Sequence, residues 1–242
     1  YGFGDQLVSD VMTPLGNLVL TGSITSHPFG DTVQETSGAA KFLAKINYES
    51  IREVISSAAA GMEFFQKIAG ALAHEGKPVR WTTPTGFTVV QKYSDFDMKK
   101  IKLYLYDRNT FVDKRTQVTV RERAKSTINK RKSKAGIAPN FIHSMDSAHL
   151  MKTVLMCKAN GVNDFFLIHD SFASTPPNTD VIYCAVRAAF VEMYDGFCMY
   201  RKFLDEANQQ LSNEGRDSLG AEIPKKGNLD LSQVMQSEYC FA

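Results

Sequence analysis

Eight apolar side chains, Ile51, Val54, Ile55, Ala58, Met62, Phe65, Ala69 and Leu72, recur mainly at steps of three and four residues. That period places them on one face of a helix. The spacing therefore predicts a long amphipathic helix, closed near Gly76 and Pro78. A helix with one apolar face is stable only when that face is covered. The stripe thus commits the chain to a packed body, as core or subunit contact rather than as a cofactor site. With 43% apolar side chains in 242 residues, the material for such a core is present. Length allows one large domain or two small ones. No apolar run reaches the roughly 18–20 residues of a membrane span, and no basic–apolar–small leader is visible. A chain opening on Tyr1 is expected to be a processed product, a fragment, or the ordered part of something longer.

Downstream the period shortens to two. Trp81-Thr-Thr-Pro-Thr-Gly86 reads as a turn at Pro84 and Gly86. Thr88–Tyr93 and Ile101–Tyr106 read as strands, and Val118–Val120 as a third. Charge of one sign gathers over the same region. From Lys99 to Lys134 there are thirteen Lys/Arg against three acids, whereas Gly161 to Ala242 carries six basic and twelve acidic residues. The formal net charge of +2 conceals this segregation. The segment is expected to be a β-ribbon leading into a basic helix or loop, with Tyr104, Tyr106 and Phe111 among the cations. Such a concentration is the footprint of a phosphate-binding surface; a solvated basic loop is the alternative.

Further along, Gly136-Ile-Ala-Pro-Asn140 reads as a second turn. Ser144 can cap a helix running through Leu150, Val154 and Leu155 to a stop at Gly161. Phe165–Ile168 is a short apolar strand broken by His169-Asp170, and Ser171–Ser174 continues it. The pair is thereby placed at a hairpin tip. Pro176 and Pro177 end the strand, and a helix begins near Asp180 with Ile182, Val186, Phe190 and Met193 as its buried stripe. Cys157, Cys184, Cys198 and Cys240 show no zinc spacing and read as free thiols in a reducing compartment. Trp81 is expected at a core edge and His149 as a structural histidine. Asp146, near the expected helix start, suits the dipole there.

The candidate chemistry rests first on His169-Asp170. Nucleotidyl transfer uses two divalent ions, one activating the attacking 3′ hydroxyl and one steadying the leaving pyrophosphate. Such ions take carboxylate oxygen, and a carboxylate on a hairpin tip is rigidly placed yet reaches an open cleft. An Asp after an apolar strand is also a common turn former, so the dipeptide does not decide by itself.

Several ordered stretches decide more. Phe166-Leu-Ile-His-Asp-Ser-Phe172 resembles the metal-binding hairpin of the single-subunit RNA polymerases of bacteriophages and mitochondria. Gly136-Ile-Ala-Pro-Asn-Phe-Ile-His-Ser144, with Asp146 and His149-Leu150, resembles the segment preceding that hairpin. Trp81-Thr-Thr-Pro-Thr-Gly-Phe87 resembles the turn ahead of the promoter-reading hairpin. Gly227-Asn-Leu-Asp-Leu231 and Phe241-Ala242 resemble the family's tail, and Tyr1-Gly-Phe3 with Gln6 and Val8 the chain just past the fingers helix. A related DNA-synthesising family carries His-Asp-Glu at the hairpin; Ser171 in place of Glu favours RNA synthesis.

The resemblance implies a mixed α/β, mostly helical portion of the palm and fingers of a right-hand polymerase, with a projecting β-hairpin. Residues 1–80 would be a fingers-side helical region, 81–135 the basic specificity-type hairpin and following segment, and 136–242 the palm and tail. Asp170 would be the second of two catalytic metal-binding aspartates, with Mg²⁺ as the ion and one ion shared with a carboxylate outside this chain. His169 would brace the primer or metal region, and His143 would contact the growing duplex end. Phe241 and Ala242 would fold back toward the active site. Lys99, Lys100, Lys102, Arg108, Lys114, Arg115, Arg121 and Arg123 would bind nucleic acid, Lys100 and Lys102 at the family's base-contacting positions.

The hairpin is unusually basic, and Thr88 stands where family members often carry Pro. A lysine is a point charge that suits phosphate better than a base edge. Binding to single-stranded or pre-opened DNA, or help from a single-stranded-DNA-binding accessory factor, is therefore expected. The family's first catalytic aspartate and its nucleotide-handling lysine and tyrosine lie upstream of Tyr1. A second polymerase chain or an N-terminal segment is expected to supply them, most simply in a split or cleaved phage enzyme. The implied partners are DNA template, nascent RNA and nucleoside triphosphates, without a membrane, in the cytoplasm of an infected bacterial host. Two other classes stay open: a non-catalytic nucleic-acid-binding subunit, and a His-Asp metal-dependent phosphohydrolase. The latter carries its pair on a helix.

Overall fold

The computed structural model describes residues 2–107, 112–168 and 170–239. Helices dominate. The strands among the described residues form three separate antiparallel hairpins. The chain divides between Ala60 and Gly61 into two compact units.

The first unit is helical: α1 (Gly2–Leu7), a π turn (Val8–Met12), α2 (Thr13–Leu20) and α3 (Val33–Val54). Thr32 starts α3 through a capping box. Its hydroxyl accepts the Glu35 N–H, and the Glu35 carboxylate accepts the Thr32 N–H. The expected single long helix is broken at Ile55, where φ −114° and ψ 57° separate α3 from α4 (Ser56–His74). Val54-Ile55-Ser56-Ser57 joins two β-branched residues to two serines, a poor helix interior. The stripe accordingly divides: Phe65, Ala69 and Leu72 are buried, whereas Ile51, Val54 and Ile55 are exposed.

In the second unit, α4 from Gly61 onward packs with β1 (Val79–Thr82), α5 (Lys130–Ala159) and α7 (Met199–Gln210) in one core. Phe65 stands 4.4 Å from Phe141 and 5.0 Å from Phe203, ring to ring. Burying each such ring contributes about 1.5–3 kcal/mol. Gly61 admits this packing, since a Cβ there would lie 2.5 Å from the Tyr200 hydroxyl. Trp81 lies inside the core, not at its edge. Its indole N–H donates to Ser144 Oγ at 2.9 Å, and that hydroxyl donates to the Phe141 carbonyl at 2.7 Å.

The expected turn at Gly136–Asn140 is absent. α5 runs unbroken for 30 residues with Pro139 inside it, and its N-cap is Asn129, whose side chain accepts the Lys132 N–H at 2.9 Å. Ser144 is therefore no cap, and Asp146 sits mid-helix, where the dipole argument does not apply. Burial overrides the proline. Ser133, Ile137, Phe141, Met145 and Ala148 form a continuous buried face across it, and covering that face outweighs one lost backbone hydrogen bond. α5 closes before Gly161 (φ +86°), as expected.

β1 pairs with β2 (Thr88–Gln91) through the expected Gly86 turn. β3 (Ser94–Asp107) and β4 (Val112–Ile128) form a long two-stranded ribbon, about 45 Å along β3 at a strand's usual rise. Its base is tied to α5: Asn129 donates its backbone N–H to Tyr93 O at 2.7 Å and its amide to Asp95 at 2.6 Å. β5 (Phe166–Ile168) and β6 (Ser171–Ala173) make the third hairpin. α6 (Thr179–Tyr194) follows with Ile182, Val186 and Met193 buried, then α7 and α8 (Asn213–Leu219). Buried Arg187 of α6 donates to the carbonyls of Ser237 and Glu238, holding the segment after a 3₁₀ turn at Leu231–Gln236. Cys157, Cys184 and Cys198 are free thiols. Among the described residues no helix is long and apolar enough to cross a membrane.

Candidate active-site cleft and basic ribbon

Asp170 lies in the turn between Ile168 and Ser171, the innermost register pair of β5 and β6. The hairpin-tip expectation holds for it. The carboxylate is exposed and borders a cleft of about 690 Å³, whose other lining residues are His143, Asp146, Ser147 and Leu150 of α5. Steps of three and four along a helix put those four on one face. The structure thus brings His143 and Asp170 to one cleft. It adds Asp146 and Ser147, whose signal was the 143–146–147–150 spacing, hidden by the expected break in α5.

The electrostatics of the cleft follow from its exposure. Asp146 also faces Tyr194. Burial raises the pKa of that hydroxyl, and the charge of Asp146 adds to the shift. The Ser147 hydroxyl is engaged, donating to the His143 carbonyl at 2.9 Å. Two exposed carboxylates on one cleft are hard oxygen donors of the kind Mg²⁺ takes. Among the described residues no group of three or more His, Cys, Asp or Glu side chains could hold an ion together. Asp170 and Asp146 thus fit a contribution to a Mg²⁺ shell, with its remaining ligands from water, substrate or another segment. Asp170 in a β-turn is also unlike the helical placement that a His-Asp phosphohydrolase requires.

The ribbon sorts its cations by face. Directly opposed residues of an antiparallel pair share a face. The register pairs Met98 with Arg121, Lys100 with Thr119, Lys102 with Gln117 and Tyr104 with Arg115. One face therefore presents Lys100, Lys102, Arg115 and Arg121, and the Arg115 guanidinium lies 5.2 Å over the Tyr104 ring. The other presents Ile101, Leu103, Val118 and Val120, all exposed. Lys99 belongs to that second face and pairs with Glu122 at 3.4 Å. A register shift between Asp97 and Met98 sets Arg123 opposite Asp97, which also binds Lys125 at 3.0 Å. The hydrogen bond and charge of Asp97 raise the pKa of that ammonium.

Lys114 takes its place in β4 opposite Leu105. Arg108, Phe111, His169, Phe241 and Ala242 lie outside the described residues. His149 is buried with its ring nitrogen bonded, as a structural histidine should be.

A family model for DNA-dependent RNA polymerase matches residues 19–219. T7 RNA polymerase of Escherichia phage T7 is 31% identical over an alignment that covers all of this chain and 27% of that protein. The DNA-directed RNA polymerase 2, chloroplastic/mitochondrial, of Arabidopsis thaliana is 33% identical, covering 88% of this chain and 19% of its own length. The chain spans about a quarter or less of these relatives. It belongs to the family of DNA-dependent RNA polymerases that phages and plant organelles share.

Proposed function

We propose that the chain is the catalytic palm-side part of a template-directed RNA polymerase and supplies Asp170 as one of two metal-binding aspartates. The observation that carries this is the Asp170 carboxylate, set in a hairpin turn and sharing an open cleft with His143 of α5. The partners are a DNA template, nascent RNA and nucleoside triphosphates. An upstream segment or second chain supplies the other aspartate and the nucleotide-handling residues. Residues 1–80 serve the fingers side, 81–135 carry the nucleic-acid-binding ribbon, and 136–242 the palm. The setting is the cytoplasm of an infected bacterial host.

When bound, Mg²⁺ would activate the attacking 3′ hydroxyl and neutralise charge on the leaving pyrophosphate. Asp170 would hold it from the hairpin, and Asp146 offers a second carboxylate from α5. His143, exposed on the same face, would contact the end of the growing duplex. Lys100, Lys102, Arg115 and Arg121 bind phosphates as point charges or forks, a mode that positions nucleic acid without reading sequence. Pre-opened or single-stranded template, alone or delivered by an accessory factor, suits such a ribbon.

Ribonucleotide incorporation by the native assembly, run beside Asp170→Asn, tests the reading. The expected outcome is loss of incorporation with DNA affinity unchanged. An Asp170→Asn assembly that transcribes normally would refute it and leave the chain as a nucleic-acid-binding part of the machine.

A further inference from the structure

We infer that His149 is the positioning residue for Asp170, fixing the height of the β5–β6 turn over the cleft face of α5; this rests on the metal-binding reading of Asp170. The hairpin cannot hold that height by itself. Each strand has three residues, and a two-stranded hairpin of any length is marginal in water. Phe166 and Ile168 are 78% and 70% exposed. The inward contacts come from the register partners Leu167 and Phe172, both half-buried.

Phe172, two residues past Asp170, meets the His149 ring edge-on at 5.7 Å and 75°. His149 is itself 7% exposed and held from α6. Its Nε2 lies 2.8 Å from the Val186 carbonyl, and Phe190 meets its ring at 6.0 Å and 90°. A carbonyl only accepts, so Nε2 carries the proton and the ring orientation is fixed. His149 is three residues from Asp146 and adjacent to Leu150, both cleft residues. One side chain thus joins α5, α6 and the strand that follows Asp170. A ring that merely filled space would need no oriented donor.

The test uses the native assembly containing this chain, with Mn²⁺ as the probe because it takes the oxygen ligands of Mg²⁺. His149→Phe keeps the ring contacts and removes the donor. Phe172→Leu acts from the hairpin side and leaves the buried hydrogen bond alone. Mn²⁺ affinity is read by electron paramagnetic resonance, and incorporation is followed as Mg²⁺ and nucleotide are varied separately. Both variants are expected to weaken Mn²⁺ binding about 10-fold and to raise the Mg²⁺ requirement, with nucleotide KM unchanged at saturating metal. If His149→Phe fails to fold, Phe172→Leu decides alone. Wild-type Mn²⁺ affinity in the folded variants, beside an Asp170→Asn control that has lost it, overturns the positioning role and spares the metal reading. Wild-type Mn²⁺ binding and incorporation in Asp170→Asn overturn both.

Discussion

Replacing Lys100 and Lys102 together by glutamine removes two of four cations, Lys100, Lys102, Arg115 and Arg121, on one face of the ribbon. Each phosphate contact on duplex DNA contributes about 0.9 to the slope of log affinity against log salt, by release of a condensed counterion. The double variant should therefore lower the steepness of the native assembly's slope by about 1.8. Between about 50 and about 200 mM salt, that is a difference of about 12-fold in how far affinity falls. Lys99→Gln should leave the slope unchanged, although Lys99 adjoins Lys100 in sequence. It sits on the opposite face and is already paired with Glu122 at 3.4 Å. Binding of a short labelled DNA duplex by fluorescence anisotropy, titrated across salt, measures all three proteins. Equal loss of slope from Lys99→Gln, or none from the double variant, would refute the assignment of one ribbon face to nucleic acid.

Gly136→Ala should destabilise by about 1–3 kcal/mol in denaturant titration, although alanine ordinarily gains about 1 kcal/mol over glycine inside a helix. The added Cβ would lie 2.9 Å from the Tyr93 ring and hydroxyl, and that hydroxyl accepts from Asn140. Trp81→Phe should cost about 1–2 kcal/mol, the loss of one buried hydrogen bond and part of a ring, read as a lower denaturation midpoint. The Glu75 carboxyl is held down at about 2, first by its hydrogen bond with Lys77 and then by Ser212. A depressed folded-state pKa gives stability that is present above the ordinary value of 4.5 and lost as pH falls toward about 2. Glu75→Gln should flatten that acid limb in thermal melts, and an unchanged limb would remove Glu75 from its cause.

Asp170 was legible because a polar dipeptide interrupts an apolar run, and the strand and helix boundaries around it carry ordinary turn chemistry. The two failures in helix reading have one origin. At Ile55 the apolar period continues while the backbone breaks. At Pro139 the local signal breaks while the helix continues. Local propensity and burial disagree at both places, and a sequence shows only the first of them directly. The ribbon's faces were half legible. Alternation along β3 separates Lys99 from Lys100 and Lys102, but which cations of β4 join them depends on the register shift near Asp97. No periodicity reports such a shift.

The continuity of α5 is also what makes the cleft. His143, Asp146, Ser147 and Leu150 share a face only because the helix is already in register with the buried Ile137, Phe141, Met145 and Ala148. A turn at residues 136–140 and a fresh cap at Ser144 would leave His143 outside the helix, with its direction set by a loop. The same helix begins at Asn129, the residue that ties down the ribbon's base. From there to Leu150 is about 30 Å at a helical rise of 1.5 Å per residue. Ribbon and cleft are therefore mounted on one helix, and under the proposed function a nucleic acid held by the cations of the first would be registered against the carboxylate facing the second. The proline that hides this helix from a sequence reading lies between the two, and the buried face that spans it is what keeps their separation fixed.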